Sequence, residues 1–243
     1  MLGKLLKYDF KSIARILLPI YGAFLVVSVL LGAQSASRDV SPAIVAIFIG
    51  LFSVAIIMTI VLVIQRFYQN LLGPEGYLMF TIPVSTATHI LEKVTLALVW
   101  GLLGSLVIFL ASFLIIIFDP AAGGFSGIFQ VMGQIHFTGN EYALFFSWLL
   151  LAILGIAAQI TQIYASISIG HLWTSHRILG AFLSYIGFSI LTARVMSAFG
   201  GSLFTDWFFS VSPSLSSYLP LAIEIAVYGL ITWLILDRSL NLD

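Results

Sequence analysis

The sequence predicts an all-α polytopic membrane protein with six transmembrane helices in a single transmembrane domain, residues 1–243. Hydrophobic residues make up 60% of the chain and charged residues only 8%, whereas soluble domains carry about 25% charged residues. Ten Lys and Arg balance ten Asp and Glu, so the chain has no basic excess that would attract nucleic acid. This composition excludes a soluble enzyme, a disordered chain and a nucleic-acid-binding protein.

Six apolar runs are long enough to cross a bilayer core that is roughly 30 Å thick. Backbone groups in lipid must be satisfied within their own segment, so each run is predicted to be an α-helix. The predicted spans cover residues 16–33, 43–65, 94–118, 143–170, 178–197 and 218–236. Only Arg194 and Glu224 among the charged residues fall inside these spans, each near an end, which supports the boundaries.

The positions of Lys and Arg predict that both termini are cytoplasmic. With the N-terminus inside, every Lys and Arg except Arg38 and Arg194 faces the cytoplasm, and the reverse topology inverts this bias. A cleaved signal peptide is the alternative for the first apolar run. That run is longer than the apolar core of a usual signal peptide, which is about 7–15 residues, so we expect a span.

An amphipathic helix is predicted over residues 2–15, before the first span. Lys4, Lys7, Lys11 and Arg15 recur at spacings of three and four, so they share one helix face. Such a helix lies in the membrane interface with its basic side toward anionic lipid headgroups. Two interpretations stay open: an elbow helix that braces the first span against a cytoplasmic partner, and a plain basic anchor.

The loop over residues 66–93 is predicted to be cytoplasmic and is far longer than a helical hairpin needs. Gly73–Gly76 breaks the chain direction and Pro83 breaks it again, leaving the short apolar piece 77–82 between them. Ser85 is placed to cap the helix that enters the third span. The apolar piece is interpreted either as a docking element for a soluble partner or as a loop folded back onto the membrane interface.

Two further connections lie on the outer side in this topology. Residues 119–140 are rich in Gly and contain no Lys or Arg, so a loose loop with one short helical piece around 128–133 is expected. Residues 203–211 are strongly aromatic but too short to span. They predict a short re-entrant or interfacial hairpin before the last helix.

Polar side chains inside the spans provide two further candidate sites. One face of the fourth span carries Gln159, Gln162 and Ser166. Two interpretations stay open: these side chains line a substrate path, or they form hydrogen bonds between helices. Arg194 and Glu224 are both predicted near the outer leaflet. A structural ion pair between them would offset the free energy of inserting each charge.

The segment Gly73–Ser85, GPEGYLMFTIPVS, with Ile90–Lys93 after it, resembles the loop after the second span in type-2 ATP-binding-cassette (ABC-2) exporter permeases. In that family this loop holds the coupling helix. The positions that match in type and order are Glu75, Gly76, Leu78, Pro83, Val84 and Ser85. The N-terminal LLKYDFK also resembles the elbow helix of that family, and the six-span plan is similar.

This resemblance implies a membrane subunit of an ABC exporter in a bacterial-type plasma membrane. It implies contact with ATPase subunits through the coupling helix, at Gly73, Pro74, Glu75, Gly76, Tyr77, Leu78, Met79 and Phe80. Two ABC ATPase subunits would bind ATP and Mg, while this chain would hold no cofactor. A second permease, as homodimer or heterodimer, would complete an alternating-access exporter of peptide, bacteriocin-like or amphipathic drug-like substrates.

No catalytic motif is visible in the sequence. There is no P-loop, HExxH or GxSxG pattern, and the four His are scattered. The absence of Cys removes disulfides, thiolate metal ligands and a Cys nucleophile. We therefore predict no catalytic residue and no metal site. The alternatives to a permease are an intramembrane enzyme that uses Glu224 or a His, and a structural or sensory membrane protein.

Overall fold

The computed structural model describes residues 2–35, 41–73, 85–119, 123–134, 139–173, 176–198 and 215–238, and these ranges contain helices and no strand. The helices are α1 Leu2–Gln34, α2 Pro42–Phe67, α3 Thr86–Phe118, α4 Gly124–Gln134, α5 Gly139–His171, α6 Arg177–Ala198 and α7 Leu215–Arg238. A π-helical turn, Tyr68–Leu72, continues α2. Every one of these helices except α4 is long and apolar enough to cross a membrane. The predicted all-α membrane protein with six spans is confirmed.

The surface of the described helices is suited to a lipid environment. Large apolar side chains such as Ile57, Phe109 and Ile178 are exposed on the outer faces of α2, α3 and α6. In water such a surface would associate or aggregate, because extended apolar patches are rare on soluble monomers. In a bilayer the same side chains face hydrocarbon, and the helical backbone satisfies its own polar groups.

Helix α1 joins two segments that the sequence separates. The predicted elbow, 2–15, and the predicted first span, 16–33, form one uninterrupted helix. No Gly or Pro lies between Lys4 and Leu18, so nothing in the chain breaks the backbone where its character changes from amphipathic to apolar. The basic Lys7, Lys11 and Arg15 are exposed along this first part of α1.

The chain divides into two compact units. The first, which we call the α1 unit, comprises residues 3–63 and 99–138. The second, the α5 unit, comprises residues 1–2, 64–98 and 139–243. The α1 unit is held by stacked rings, with Phe10 on Trp100 at 4.7 Å between centroids and Phe24 on Phe48 at 5.1 Å.

In the α5 unit, α5 packs against both α6 and α7. Leu151, Ala158 and Leu221 form a buried cluster between α5 and α7. Tyr218 of α7 donates a hydrogen bond to the carbonyl oxygen of Ser147 at 3.0 Å. Apolar packing and this bond together fix α7 on α5, because a buried phenol needs a hydrogen-bond partner.

Close packing of small residues joins α5 to α6. A Cβ atom added at Gly170 would lie 2.6 Å from the Cβ of Ala181. A Cβ at Gly180 would lie 3.1 Å from the ring of Trp173 and 3.2 Å from the Cα of Gly170. Glycine at both positions therefore allows the two backbones to approach, as small residues do between membrane helices.

Two predicted elements lie largely outside the described residues. Of the predicted coupling segment, Gly73 is described, and Pro74–Phe80 lies outside the described ranges. The aromatic segment 203–211, predicted to be a hairpin, also lies outside them. Helix α4 occupies the place where the sequence predicts a short helical piece.

Candidate functional site

Six buried side chains lie where α2 ends and α3 begins, on either side of the connection 73–85. We call this group the loop-base cluster. Its members come from α2, the π-helical turn, α3 and α5, and they are Phe67, Asn70, His89, Glu92, Lys93 and Tyr164. Buried ionisable groups in a chain so poor in charge are the strongest sign of function here, because charge inside a membrane protein is costly and usually serves a purpose.

Helix α3 supplies the charged part of the cluster. It starts at Thr86, directly after Ser85, whose hydroxyl lies 2.8 Å from the hydroxyl of Thr88. The predicted cytoplasmic loop is therefore shorter than 66–93, and its last residues are helical. This early start places His89, Glu92 and Lys93 in the first two turns of the helix.

The spacing of three and four residues from His89 to Glu92 and Lys93 turns these ionisable side chains toward the interior of the α5 unit. The exposed fraction is 1% for His89, 0% for Glu92 and 1% for Lys93. Lys93 Nζ lies 2.9 Å from Glu92 Oε2, which makes a buried ion pair between sequence neighbours. The sequence places Lys93 on the cytoplasmic side and does not predict whether its side chain is buried. The structure buries this charge and compensates it with Glu92.

The π-helical turn Tyr68–Leu72 forms the other side of the loop base. Its residues Asn70, Leu71 and Leu72 are buried, and the turn ends at Gly73 in an extended conformation. A Cβ at Gly73 would lie 2.9 Å from the carbonyl oxygen of Gln69, so glycine fits where the chain leaves the turn. Short π-helical segments are rare and are frequently found at functional sites, where they change the register of a helix.

Helix α5 connects the two sides of the loop base through one face. The ring of Tyr164 stacks on Phe67 with 3.9 Å between centroids, and its hydroxyl donates to the carbonyl oxygen of Lys93 at 3.3 Å. Seven residues later on the same face, His171 meets the edge of Tyr68 at 6.3 Å. One face of α5 therefore holds the end of α2 and the start of α3 together.

A second tie fixes the start of α3 to the last helix. The hydroxyl of Thr86 donates to Oδ1 of Asp237, near the end of α7, at 3.2 Å. This bond is exposed and is a weaker contact than the buried cluster. It nevertheless brings a third helix of the α5 unit to the base of the connection 73–85.

The polar residues predicted on the fourth span have different environments. Gln159 is exposed on α5, whereas Gln162 and Ser166 are buried. The side-chain nitrogen of Gln162 donates to the hydroxyl of Ser189 on α6 at 2.9 Å. Ser166 donates back to the carbonyl oxygen of Gln162 at 2.7 Å. Gln162 thus makes the hydrogen bond between helices that one interpretation predicts, and a substrate path along this face stays a prediction.

The structure does not bring Arg194 to Glu224. Arg194 is exposed on α6, while Glu224 is buried and accepts a hydrogen bond from the hydroxyl of Thr192 at 3.4 Å. The hydroxyl of Tyr228 lies 2.8 Å from that of Thr192, so Glu224 belongs to a hydrogen-bonded group with Thr192 and Tyr228. Similar depth in the membrane led to the predicted pair, but the rotation of α6 turns Thr192 and not Arg194 toward α7.

The loop-base cluster was not predicted from the sequence. Positive-inside counting does not indicate whether a Lys is buried, and the contact between Tyr164 and Lys93 joins residues that are far apart in the sequence. The sequence contains one indication of the buried pair: Glu92 and Lys93 are adjacent, have opposite charges and lie next to an apolar span. Within the described ranges no group of three or more His, Asp or Glu side chains is placed to hold a metal ion.

No protein-family model, curated protein or solved structure matches this chain. Its class is defined by the helices themselves, which are those of a multi-pass helical membrane protein. The loop-base cluster adds a buried, charged and aromatic support beneath one connection of that protein.

Proposed function

We propose that the chain is the membrane-spanning permease subunit of an ATP-driven exporter of the ABC-2 type. It moves a peptide, bacteriocin-like or amphipathic drug-like substrate outward by alternating access. Two ABC ATPase subunits bind ATP and Mg and grip the cytoplasmic segment 73–80, and a second permease completes the assembly. The resemblance of Gly73–Ser85 to the coupling segment of such permeases supplies the identity of the partners.

The loop-base cluster is the observation that carries this proposal. A segment that receives force from a partner needs a base that does not yield locally. Both ends of the connection 73–85 enter such a base, because Phe67 before it and Lys93 after it contact the same residue, Tyr164. The buried ion pair beneath the connection suits such a base, because breaking it is costly.

The buried charges make the base resist internal rearrangement. Separating Lys93 from Glu92 would leave two uncompensated charges in a low-dielectric interior. Removal of one partner from a buried ion pair costs about 3–5 kcal/mol, and separation of the two charges should be similarly unfavourable. A push on the connection therefore moves the ends of α2 and α3 together with α5.

The exposed basic face of α1 is consistent with a cytoplasmic N-terminus. Lys7, Lys11 and Arg15 form a cationic stripe that binds anionic headgroups of the inner leaflet. Under this proposal the stripe and the connection 73–85 lie on the same, cytoplasmic side, next to the ATPase subunits. Membrane lipid is then a partner of α1 in addition to the protein partners.

Co-purification tests the proposal. The full chain is expressed together with candidate ABC ATPase subunits from the same genome, and ATPase binding and ATP-dependent transport are measured in membrane vesicles. We expect Leu78→Asp and Phe80→Asp to abolish both, because a charge at an apolar contact is strongly unfavourable. Leu172→Asp is the matched control, since Leu172 is an exposed leucine in another connection on the same predicted side.

The outcomes separate the alternatives. Loss of ATPase binding in the two segment variants but not in Leu172→Asp supports the permease. Unchanged binding and transport in Leu78→Asp and Phe80→Asp contradicts it. Catalysis by the purified chain alone, lost in Glu224→Gln, would favour an intramembrane enzyme instead.

A further inference from the structure

The α1 unit contains a cavity of about 200 Å³ between α1, α2 and α3. All of its lining residues belong to helices that are able to span a membrane. They are Tyr21, Phe24, Ala55, Ile56, Thr59, Ile60, Gly101, Gly104, Ser105, Val107 and Ile108. The residues of the loop-base cluster belong to the other unit, the α5 unit.

The few hydroxyl groups of the lining are satisfied within the protein. The hydroxyl of Thr59 donates to the carbonyl oxygen of Ala55 at 2.6 Å, which uses its single hydrogen. The hydroxyl of Tyr21, 2.7 Å from that of Thr59, must then be the donor of the pair. Ser105 donates to the carbonyl oxygen of Leu102 at 2.9 Å. The wall therefore offers no free hydroxyl hydrogen and no charge to a ligand.

The size and chemistry of the cavity define its ligand. An apolar cavity of about 150 Å³ stays dry and binds benzene or xenon, because water needs two or more polar partners to enter. The cavity here is somewhat larger and equally poor in available polar groups. We infer that it is a binding site for a compact, uncharged hydrocarbon, such as a single aromatic or alicyclic ring with a short substituent.

The surroundings give such a ligand access. Ile56 and Ile60 of the lining are exposed, so the cavity opens at an apolar surface of the α1 unit. A small apolar compound dissolved in the bilayer reaches it without crossing water. Gly104 leaves room beside the phenol, since a Cβ at this position would lie 3.1 Å from the Tyr21 hydroxyl oxygen. This inference does not depend on an ATPase partner.

Photolabelling tests the inference on the full chain in lipid nanodiscs. The probe is 3-trifluoromethyl-3-phenyldiazirine, an apolar ring of suitable size, and adducts are mapped by mass spectrometry. We expect saturable labelling of residues 101–108 that toluene competes away. Benzyl alcohol at equal membrane concentration competes less, because its hydroxyl loses hydrogen bonds in an apolar site.

A filled cavity provides the decisive comparison. Ala55→Leu adds side-chain volume inside the cavity and should lower the saturable labelling at least about fivefold. Ala46→Leu, the same change at an exposed position of α2, should leave it unchanged. If Ala55→Leu fails to fold by far-UV circular dichroism, Gly104→Ala replaces it, with Gly50→Ala as control because a Cβ there meets nothing within 4 Å.

Three results would overturn the inference. Labelling of residues 101–108 that is not saturable would show that the probe reacts with them from the bilayer without occupying a binding site. Equal saturable labelling in Ala55→Leu and Ala46→Leu would place the site elsewhere. Labelling that appears only after delipidation would show that a lipid chain, and not a compact hydrocarbon, occupies the cavity.

Discussion

The buried ion pair of the loop-base cluster gives the sharpest test of the structure. Lys93→Met leaves the carboxylate of Glu92 buried at 0% exposure without the ammonium group 2.9 Å away. Removing one partner of such a pair costs about 3–5 kcal/mol, and Glu92→Gln should be similar. Replacing both charges removes the uncompensated group, so the double variant should lose far less than the sum. We expect a coupling free energy of about 2–3 kcal/mol.

The free energy of unfolding is measured by far-UV circular dichroism during titration of the detergent-solubilised chain with sodium dodecyl sulfate. Lys11→Met is the control, because Lys11 is exposed and its replacement should change the free energy by less than about 0.5 kcal/mol. Additive losses in the two single variants, or losses no larger than that of the control, would refute a buried pair between Glu92 and Lys93.

Two further predictions concern helix packing in the α5 unit. Gly170→Ala should lower the free energy of unfolding by about 1–3 kcal/mol relative to Gly187→Ala, because the added methyl group meets Ala181 whereas a Cβ at Gly187 meets nothing within 4 Å. The same titration measures both, and equal stability would contradict the close contact. Arg194→Ala should change stability by less than about 0.5 kcal/mol, since Arg194 is exposed and not paired with Glu224. A loss of several kcal/mol would instead indicate that Arg194 and Glu224 do form an ion pair.

The membrane fold could be predicted from the sequence because lipid imposes a simple rule. A segment that crosses a bilayer must be long, apolar and helical, and each of these properties is visible in the sequence of a single segment. The ends of helices follow weaker rules. Helix α3 begins at Thr86, directly after the predicted cap residue Ser85, so the helix extends about two turns before the predicted span 94–118.

The candidate site could not be predicted in the same way, because its contacts join residues far apart in the sequence. A helical pattern assigns Gln162 to a face but does not identify Ser189 as its partner. Likewise, nothing near Lys93 predicts that the hydroxyl of Tyr164 donates a hydrogen bond to its carbonyl oxygen. Side-chain partners depend on the rotation and contacts of neighbouring helices, which local periodicity does not contain.

A buried ion pair by itself is weak support for stability, because apolar replacement of both partners is often neutral or stabilising. Stability and transport therefore separate a purely structural role of Glu92 and Lys93 from a mechanical one. If the cluster transmits force, Glu92→Gln/Lys93→Met should fold and bind the ATPase, while transport falls about tenfold, equivalent to about 1.4 kcal/mol in the rate-limiting barrier. The helix ends then slip past each other instead of moving as one body. Full transport by this double variant would leave the pair a structural role alone and would remove the observation that carries the proposed function.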